Sequence, residues 1–304
     1  MVRSCSHWVV RLLLGVLLAG MLGGCSSTKF AYNRLDLLLS WYLGRYVDLD
    51  DEQAEWFDGR IESLLARHRA EELPGYVAFL DALQQDLDRP LTLTQVRDYT
   101  DTLELAWYRI RDPGLEELLV LAERLTQEQL DGFIGELRKR QRKYEKKYLP
   151  RSEAEFREDA ADRLRDMLED YLGRLSSAQD ERVRQTAAAL ARTDSEWLDE
   201  RAAWVDEMER LLRREPGWQA AIRSTIRNWE AQLDETTLAV YDRNTYLVQE
   251  LIVAVVNART ERQDRRLRNR LGDLRDDFSD LYGQAYLTGS DPGAGTPGQT
   301  EGAP

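Results

Sequence analysis

Cysteine and histidine are scarce in this chain of 304 residues, which contains two of each. Cys5 and His7 lie within the first 24 residues, so only Cys25 and His68 follow that segment. One cysteine cannot form an intramolecular disulfide, and zinc sites of the Cys/His type need more ligands than these two residues supply. Disulfide frameworks and such metal centres are excluded, and we predict no metal and no other cofactor.

Recognisable catalytic motifs are missing as well. The sequence has no Gly-rich phosphate loop, no GxGxxG fingerprint and no G-x-S-x-G elbow. His68 could serve a Ser-His-Asp triad, but Arg67 and Arg69 flank it and lower its basicity. Its position favours an exposed histidine on a helix.

One short motif keeps an enzymatic alternative open. Ile61-Glu62-Ser63 is similar to the Glu-Ser motif of lytic transglycosylases, which cleave peptidoglycan with a single catalytic glutamate. The resemblance implies that Glu62 would be the acid. Such an acid needs an apolar pocket that keeps it protonated, whereas Arg60 and Arg67 favour the carboxylate. We therefore predict a non-enzymatic protein and keep a peptidoglycan hydrolase using Glu62 as the alternative.

Sustained alternation of Val, Ile and Thr is absent, and charged residues make up 32% of the chain. This pattern predicts an all-α fold without a β-sheet, built as a bundle of antiparallel helical hairpins. Prolines, glycines and capping residues place the helix ends. The predicted helices cover residues 29–46, 50–73, 75–89, 92–111, 114–124, 126–149, 152–174, 176–213 and 217–286, the last two with breaks near 193–195 and 234–237.

The N-terminus carries the most specific signal. Arg3 and Arg11 accompany an apolar run over residues 12–22, which ends in Leu-Gly-Gly before Cys25. This is the pattern of a secretory signal, and the run is shorter than the ~20 residues of a membrane span. An ordinary signal peptide and a transmembrane helix are the alternatives.

The end of this segment resembles the lipobox of bacterial lipoproteins. The resemblance implies cleavage before Cys25, a diacylglyceryl group on its sulfur and acylation, as with palmitate, of its new amine. Ser26 follows instead of the Asp associated with inner-membrane retention. We therefore expect attachment to the periplasmic face of the outer membrane through lipid on Cys25.

Removal of residues 1–24 leaves an acidic protein. That segment has two arginines and no acid, so 40 basic residues stand against 55 acidic ones and the formal charge is −15. Nucleic acid is not predicted as a partner. We assign 25–287 to one helical domain and the Gly- and Pro-rich residues 288–304 to a disordered tail.

Almost no spacer separates Cys25 from the first helix. Apolar residues recur there at helical spacing, at Leu35, Leu38, Leu39, Tyr42, Leu43 and Tyr46. We expect the region of residues 32–53 to abut the membrane.

A five-residue signature occurs four times, as Leu49–Gln53, Leu91–Gln95, Leu125–Gln129 and Leu175–Gln179. Each is Leu, then Asp, Thr or Ser, two further residues, and Gln. The spacing predicts capping boxes at helix starts, and Ser152 with Glu155 predicts another. The signature also resembles the LTxxQ motif of periplasmic chaperones of the Spy/CpxP type, which implies ATP-independent binding of unfolded clients.

Two apolar segments have predicted roles in the core. Residues 246–256 are too few to span a bilayer and fit a buried helix. Leu267, Leu271, Leu274, Phe278 and Leu281 form a heptad-like seam. The seam favours packing within the chain, with a coiled coil between two copies as the alternative.

Basic residues are concentrated in one predicted helix, between Arg138 and Lys147. The candidate partner-binding residues are Arg138, Arg140, Arg142, Lys143, Lys146 and Lys147. They could contact anionic headgroups, acidic cell-wall groups or an acidic client, and the alternative is a solvated helix face.

A wider resemblance covers Tyr32–Asp36, Trp41–Leu43 and Tyr46–Leu49, ending at Gln53. With the lipobox it resembles an uncharacterised family of Gram-negative lipoproteins, which implies a helical envelope protein and no catalytic residues. We therefore predict that the protein binds an envelope protein or an unfolded client at the membrane.

Overall fold

A computed structural model of the chain describes residues 27–288, and all regular structure there is helical. The helices are α1 (Ser27–Tyr32), α2 (Leu35–Leu43), α3 (Asp51–Glu71), α4 (Leu73–Asp86), α5 (Leu93–Arg124), α6 (Gln127–Tyr148), α7 (Glu153–Leu172), α8 (Ser177–Ala189), α9 (Asp194–Leu211), α10 (Trp218–Arg227), α11 (Glu235–Asn257) and α12 (Glu261–Thr288). A short 3₁₀ helix, Trp229–Gln232, precedes α11.

The all-α prediction is confirmed. The predicted signal segment, Cys25 and residues 289–304 of the predicted tail lie outside the described residues. The assignment of 25–287 to a single domain stays a prediction.

Capping boxes start the helices where the signature predicts them. Asp50, Thr92, Thr126 and Ser176 each accept a hydrogen bond from the backbone N–H of the Gln three residues later. Each of those glutamines accepts one in return from the backbone of the capping residue. Ser152 and Glu155 form the same arrangement at α7. Each box satisfies two N–H groups that the first helical turn leaves without partners.

Three predicted helix boundaries are wrong. The predicted helix over 29–46 is two helices, α1 and α2, separated by a turn at Asn33 and Arg34. Pro113 does not end a helix, because α5 continues through it to Arg124. Buried side chains on both sides of Pro113, including Ala106 and Leu115, hold α5 in place despite the lost hydrogen bond. The predicted helix over 217–286 also breaks after Asn257, where Thr260 and Gln263 cap α12. Arg259, and not Leu, precedes Thr260, so this capping pair does not match the five-residue signature.

Buried apolar residues form two clusters. The first joins α4, α7, α8, α11 and α12, and the second joins α3, α6, α9 and α10. Helix α5 contributes Val96 to the first cluster and Leu115 and Leu119 to the second. Its 32 residues span about 48 Å at 1.5 Å per residue, so one helix links both clusters.

The two apolar segments predicted to lie in the core, residues 246–256 and the heptad-like seam, both contribute to the first cluster. Leu251 and Val255 of α11 are buried, and the heptad seam packs inside the first cluster through Leu267, Leu271 and Leu281. Within residues 27–288, no helix is long and apolar enough to cross a membrane.

Helix α1 docks on the body through Tyr32 and His68. The Tyr32 hydroxyl lies 2.8 Å from Nδ1 of His68, and the Tyr76 hydroxyl lies 3.2 Å from its Nε2. His68 is therefore half-buried and not an exposed helix residue, and burial lowers its pKa. Lys29 adds an ion pair with Asp280 of α12. These contacts hold the segment that follows Cys25 against the folded body.

Candidate functional site

Helix α2 exposes an unusually apolar surface. Its sequence, LDLLLSWYL, contains two polar residues, and no residue of this helix is buried. Phe30 of α1 is 65% exposed and Trp41 is 63% exposed. The apolar surface consists of Phe30, Leu37, Leu38, Leu39, Trp41 and Tyr42. Contiguous apolar exposure of this kind marks contact with a membrane or with another protein.

Arginines border the apolar surface. The Arg34 guanidinium lies 5.6 Å from the centre of the Phe30 ring, and that of Arg45 lies 5.2 Å from the Trp41 ring. Neither arginine has an ion-pair partner among the described residues. Aromatic rings beside basic side chains are typical of groups placed at the level of lipid headgroups.

Tyr46 connects the apolar surface to α6. Its hydroxyl hydrogen-bonds that of Tyr42 at 2.9 Å, and its ring packs 6.2 Å from the Phe133 ring. The Arg140 guanidinium lies over the same Tyr46 ring, 4.0 Å from its centre. Burial, aided by the Tyr42 hydrogen bond, raises the pKa of Tyr46 to about 12, so Tyr46 is neutral.

A basic cleft of about 410 Å³ opens beside Tyr46. We call it the arginine–tyrosine cleft, and its lining residues are Arg45, Glu136, Lys139, Arg140, Lys143 and Tyr144. Glu136 is the one acid among them, and it accepts a hydrogen bond from Lys139 at 2.7 Å. Arg45, Arg140 and Lys143 therefore leave the cleft with an excess of positive charge.

Arg201 of α9 strengthens this positive charge from behind the cleft wall. Its guanidinium lies 5.4 Å from the centre of the Tyr144 ring. Burial, and to a lesser degree the charge of Arg140, lowers the pKa of Arg201. Within residues 27–288 neither Arg140 nor Arg201 forms an ion pair with a carboxylate.

The basic run of α6 divides into groups with different surroundings. Arg138 is bound by Asp206 at 3.0 Å and by Glu209, so its charge is neutralised within the chain. Arg140 and Lys143 line the cleft, whereas Arg142, Lys146 and Lys147 are exposed outside it. The structure thus brings two of the six predicted residues into one cleft. Arg45 lines it as well and Arg201 lies nearby, and both are distant in sequence from the basic run of α6.

Glu62 lies on the exposed side of α3. It lines neither the arginine–tyrosine cleft nor a second cleft of about 400 Å³ between α6 and α9. An exposed carboxylate lacks the apolar pocket that a glycosidase acid requires. The hydrolase alternative stays a prediction that this position does not support.

Two other acids have a pKa raised to about 7, which the sequence does not indicate. Burial raises the pKa of Glu200 to about 7, although Tyr241 donates a hydrogen bond to it. Burial and the charge of Glu104 raise the pKa of Glu230 to about 7. Neither acid lines the two clefts described above. No group of three or more potential metal ligands comes together in the described part of the chain.

The glutamines of the repeated signature serve the fold. The Gln53 and Gln129 amides hydrogen-bond each other at 3.1 and 2.6 Å, joining the starts of α3 and α6. Gln179 and Gln263 pair in the same reciprocal way at 3.2 and 2.9 Å. Helix capping and helix joining account for these glutamines without a client, and binding of unfolded clients stays a prediction.

Comparison with known proteins gives a family and no activity. Residues 45–237 match the model of a family of unknown function, DUF6279. The matched range includes Arg45, Arg140, Lys143 and Arg201 of the basic site, while the apolar surface precedes it. No curated protein and no solved structure matches the chain significantly.

Proposed function

Because the chain belongs to the DUF6279 family, whose function is unknown, we propose a function from its own residues: a non-enzymatic, lipid-anchored envelope protein whose helical body lies on the membrane. Lipid on Cys25 tethers the chain to the periplasmic face of the outer membrane. The apolar surface of α1 and α2 then inserts between the headgroups. The rest of the body is free to bind an envelope protein or an unfolded client.

The observation that carries this proposal is the exposed apolar surface so close to Cys25. Phe30 lies five positions after Cys25, and an extended chain spans at most ~18 Å over five residue steps. A lipid on Cys25 therefore keeps Phe30 near the headgroups. Because the Leu and Trp side chains of this surface are about half exposed, their burial there is favourable by about 1 kcal/mol each. The acyl chains implied for Cys25 would supply stable attachment by themselves, so this surface is a second contact that orients the body on the membrane.

Vesicle flotation tests the second contact without the lipid. The mature chain from residue 25, with Cys25→Ser, is mixed with phosphatidylcholine vesicles and centrifuged through a density gradient. We expect it to float, and we expect Leu38→Ser with Trp41→Ser to reduce binding at least ~10-fold. The matched control, Leu105→Ser with Leu118→Ser, removes exposed apolar residues from α5 and should bind like the parent chain.

Other outcomes identify other occupants of the apolar surface. If the parent chain does not float but forms a dimer that Leu38→Ser and Trp41→Ser dissociate, the surface binds a second copy. If it delays aggregation of a model client and those substitutions abolish the effect, the surface binds clients. Either result overturns the membrane assignment. In cells, Cys25→Ser should abolish palmitate labelling of the full chain, and retained label would contradict the anchor.

A further inference from the structure

The charge, rigidity and position of the arginine–tyrosine cleft indicate which ligand it binds. We propose that the cleft binds the phosphate of an anionic lipid headgroup while the neighbouring apolar surface lies in the same bilayer. The proposal rests on the membrane function above and adds a ligand to it.

Converging positive charge is the first argument. Three cationic side chains in the cleft wall, Arg45, Arg140 and Lys143, form no close ion pair among the described residues, and Glu136 attracts Arg140 and Lys143 only at longer range. Basic side chains without an ion pair occur elsewhere on the surface, but here three of them converge on one cleft whose single acid, Glu136, is already bonded to Lys139. Guanidinium groups bind phosphate oxygens through paired hydrogen bonds, and an ammonium group adds a compact positive charge.

Rigidity of the site is the second argument. The Tyr46 ring supports Arg140, and the Trp41 ring supports Arg45, so neither guanidinium must be ordered from free solution on binding. Arg201 adds positive charge behind Tyr144 without entering the cleft. A site with preset side chains loses less entropy when an anion binds.

Position is the third argument, and it distinguishes a lipid from a soluble phosphate. Arg45 lies two residues after the end of α2 and belongs both to the border of the apolar surface and to the cleft wall. Tyr42 belongs to the apolar surface, and its hydroxyl is bonded to that of Tyr46 beside Arg140. When Leu38 and Trp41 insert among acyl chains, the cleft therefore lies at the level of the phosphates.

Flotation with two vesicle compositions tests the proposal. The Cys25→Ser mature chain is compared on pure phosphatidylcholine and on phosphatidylcholine with one-third phosphatidylglycerol at the same salt concentration. We expect binding to be at least ~10-fold tighter with the anionic lipid, since each basic side chain at an anionic surface contributes about 5-fold. Arg140→Gln with Lys143→Gln should abolish this preference and leave binding to the neutral vesicles unchanged.

The control variant also removes one arginine and one lysine from α6, but at other positions. Arg142→Gln with Lys147→Gln lies outside the cleft and should keep most of the preference. Equal loss in both pairs would show attraction to overall charge and overturn the cleft. Arg45→Gln, at an exposed position, provides a second variant should the first pair fail to fold.

Other results of the flotation experiment separate the headgroup site from the proposed membrane function. Neutral vesicles bound without any preference for the anionic lipid would overturn the headgroup site and leave the proposed function standing. Failure to bind either vesicle would refute both. Inorganic phosphate at a few millimolar, against sodium chloride of equal ionic strength, should not release the protein. Release that requires intact Arg140 and Lys143 would assign the cleft to soluble phosphate instead.

Discussion

Arg140 and Arg151 lie eleven positions apart, and the chain surrounds them differently. Each guanidinium stacks on a tyrosine, Arg140 at 4.0 Å from the centre of Tyr46 and Arg151 at 4.7 Å from that of Tyr148. Arg151 is bound by Asp194 at 2.6 Å and by Asp159 at 2.5 Å, whereas Arg140 has no carboxylate partner among the described residues. Arg151 therefore stabilises the loop between α6 and α7, whereas Arg140 forms no ion pair within residues 27–288 and is, in our proposal, available to an external anion.

The largest expected effect is on the paired side of this comparison. Asp194→Asn removes the shared partner of Arg151 and Arg192, and the side chain of Arg151 is 9% exposed. The buried guanidinium then keeps only the half-exposed Asp159, and loss of its buried partner should lower the free energy of unfolding by about 3 kcal/mol, measured by urea denaturation. Asp159→Asn, at a half-exposed position, should cost less than about 1 kcal/mol. Equal costs would refute the distinction between the two aspartates.

Two capping glutamines offer a second comparison: among the described residues, Gln179 forms hydrogen bonds to other helices, and Gln95 does not. Gln179 caps α8, pairs with Gln263 and donates to the Val255 carbonyl at 3.2 Å, whereas Gln95 binds only Thr92 of its own helix start. Gln179→Ala should therefore cost about 2–3 kcal/mol of unfolding free energy. Gln95→Ala should cost about 1 kcal/mol. Thermal or urea unfolding of the two variants side by side would test the ranking.

Glu200 precedes Arg201 in the chain and yet is not its partner. Its pKa is raised to about 7 from an unfolded value of 4.5, mainly because it is buried. The folded protein therefore holds a proton that the unfolded chain releases between pH 4.5 and 7. The unfolding free energy should fall as pH rises through that window.

Glu200→Gln should reduce this fall, and Glu230, with a similar pKa, should account for what remains. Urea unfolding at several pH values measures both contributions. An undiminished fall in the Glu200→Gln variant would contradict the assignment.

The smallest expected change in stability is at the unpaired arginine. Arg140→Gln removes no ion pair, and loss of its stacking on Tyr46 should cost less than about 1 kcal/mol. A loss of 3 kcal/mol, like that at Asp194, would show that Arg140 has a structural role and weaken the case for an anion site. Urea denaturation in the absence of phosphate distinguishes these results.

Local patterns predicted the fold class and most helix starts, because a capping box is complete within four residues. The signature does not predict the break after Asn257, because no Leu precedes Thr260 and Gln263. Pro113 does not end α5, because buried side chains on both sides of it stabilise the continuous helix. The apolar residues of α2 were visible from their spacing, but their exposure depends on which helices pack nearby. The cleft could not be predicted, because Arg45, Arg140 and Arg201 come from three distant segments.

Depth measurement at a single position tests the central claim that the apolar surface lies in the bilayer. Once Cys25→Ser is made, the mature chain has no other cysteine, so Leu37→Cys carries one environment-sensitive fluorophore. Leu105→Cys is the matched control, because Leu37 and Leu105 are both 55% exposed. With vesicles containing spin-labelled acyl chains, we predict a blue shift and strong quenching at position 37 and neither at position 105. Equal signals at both positions, or none at position 37, would contradict the claim.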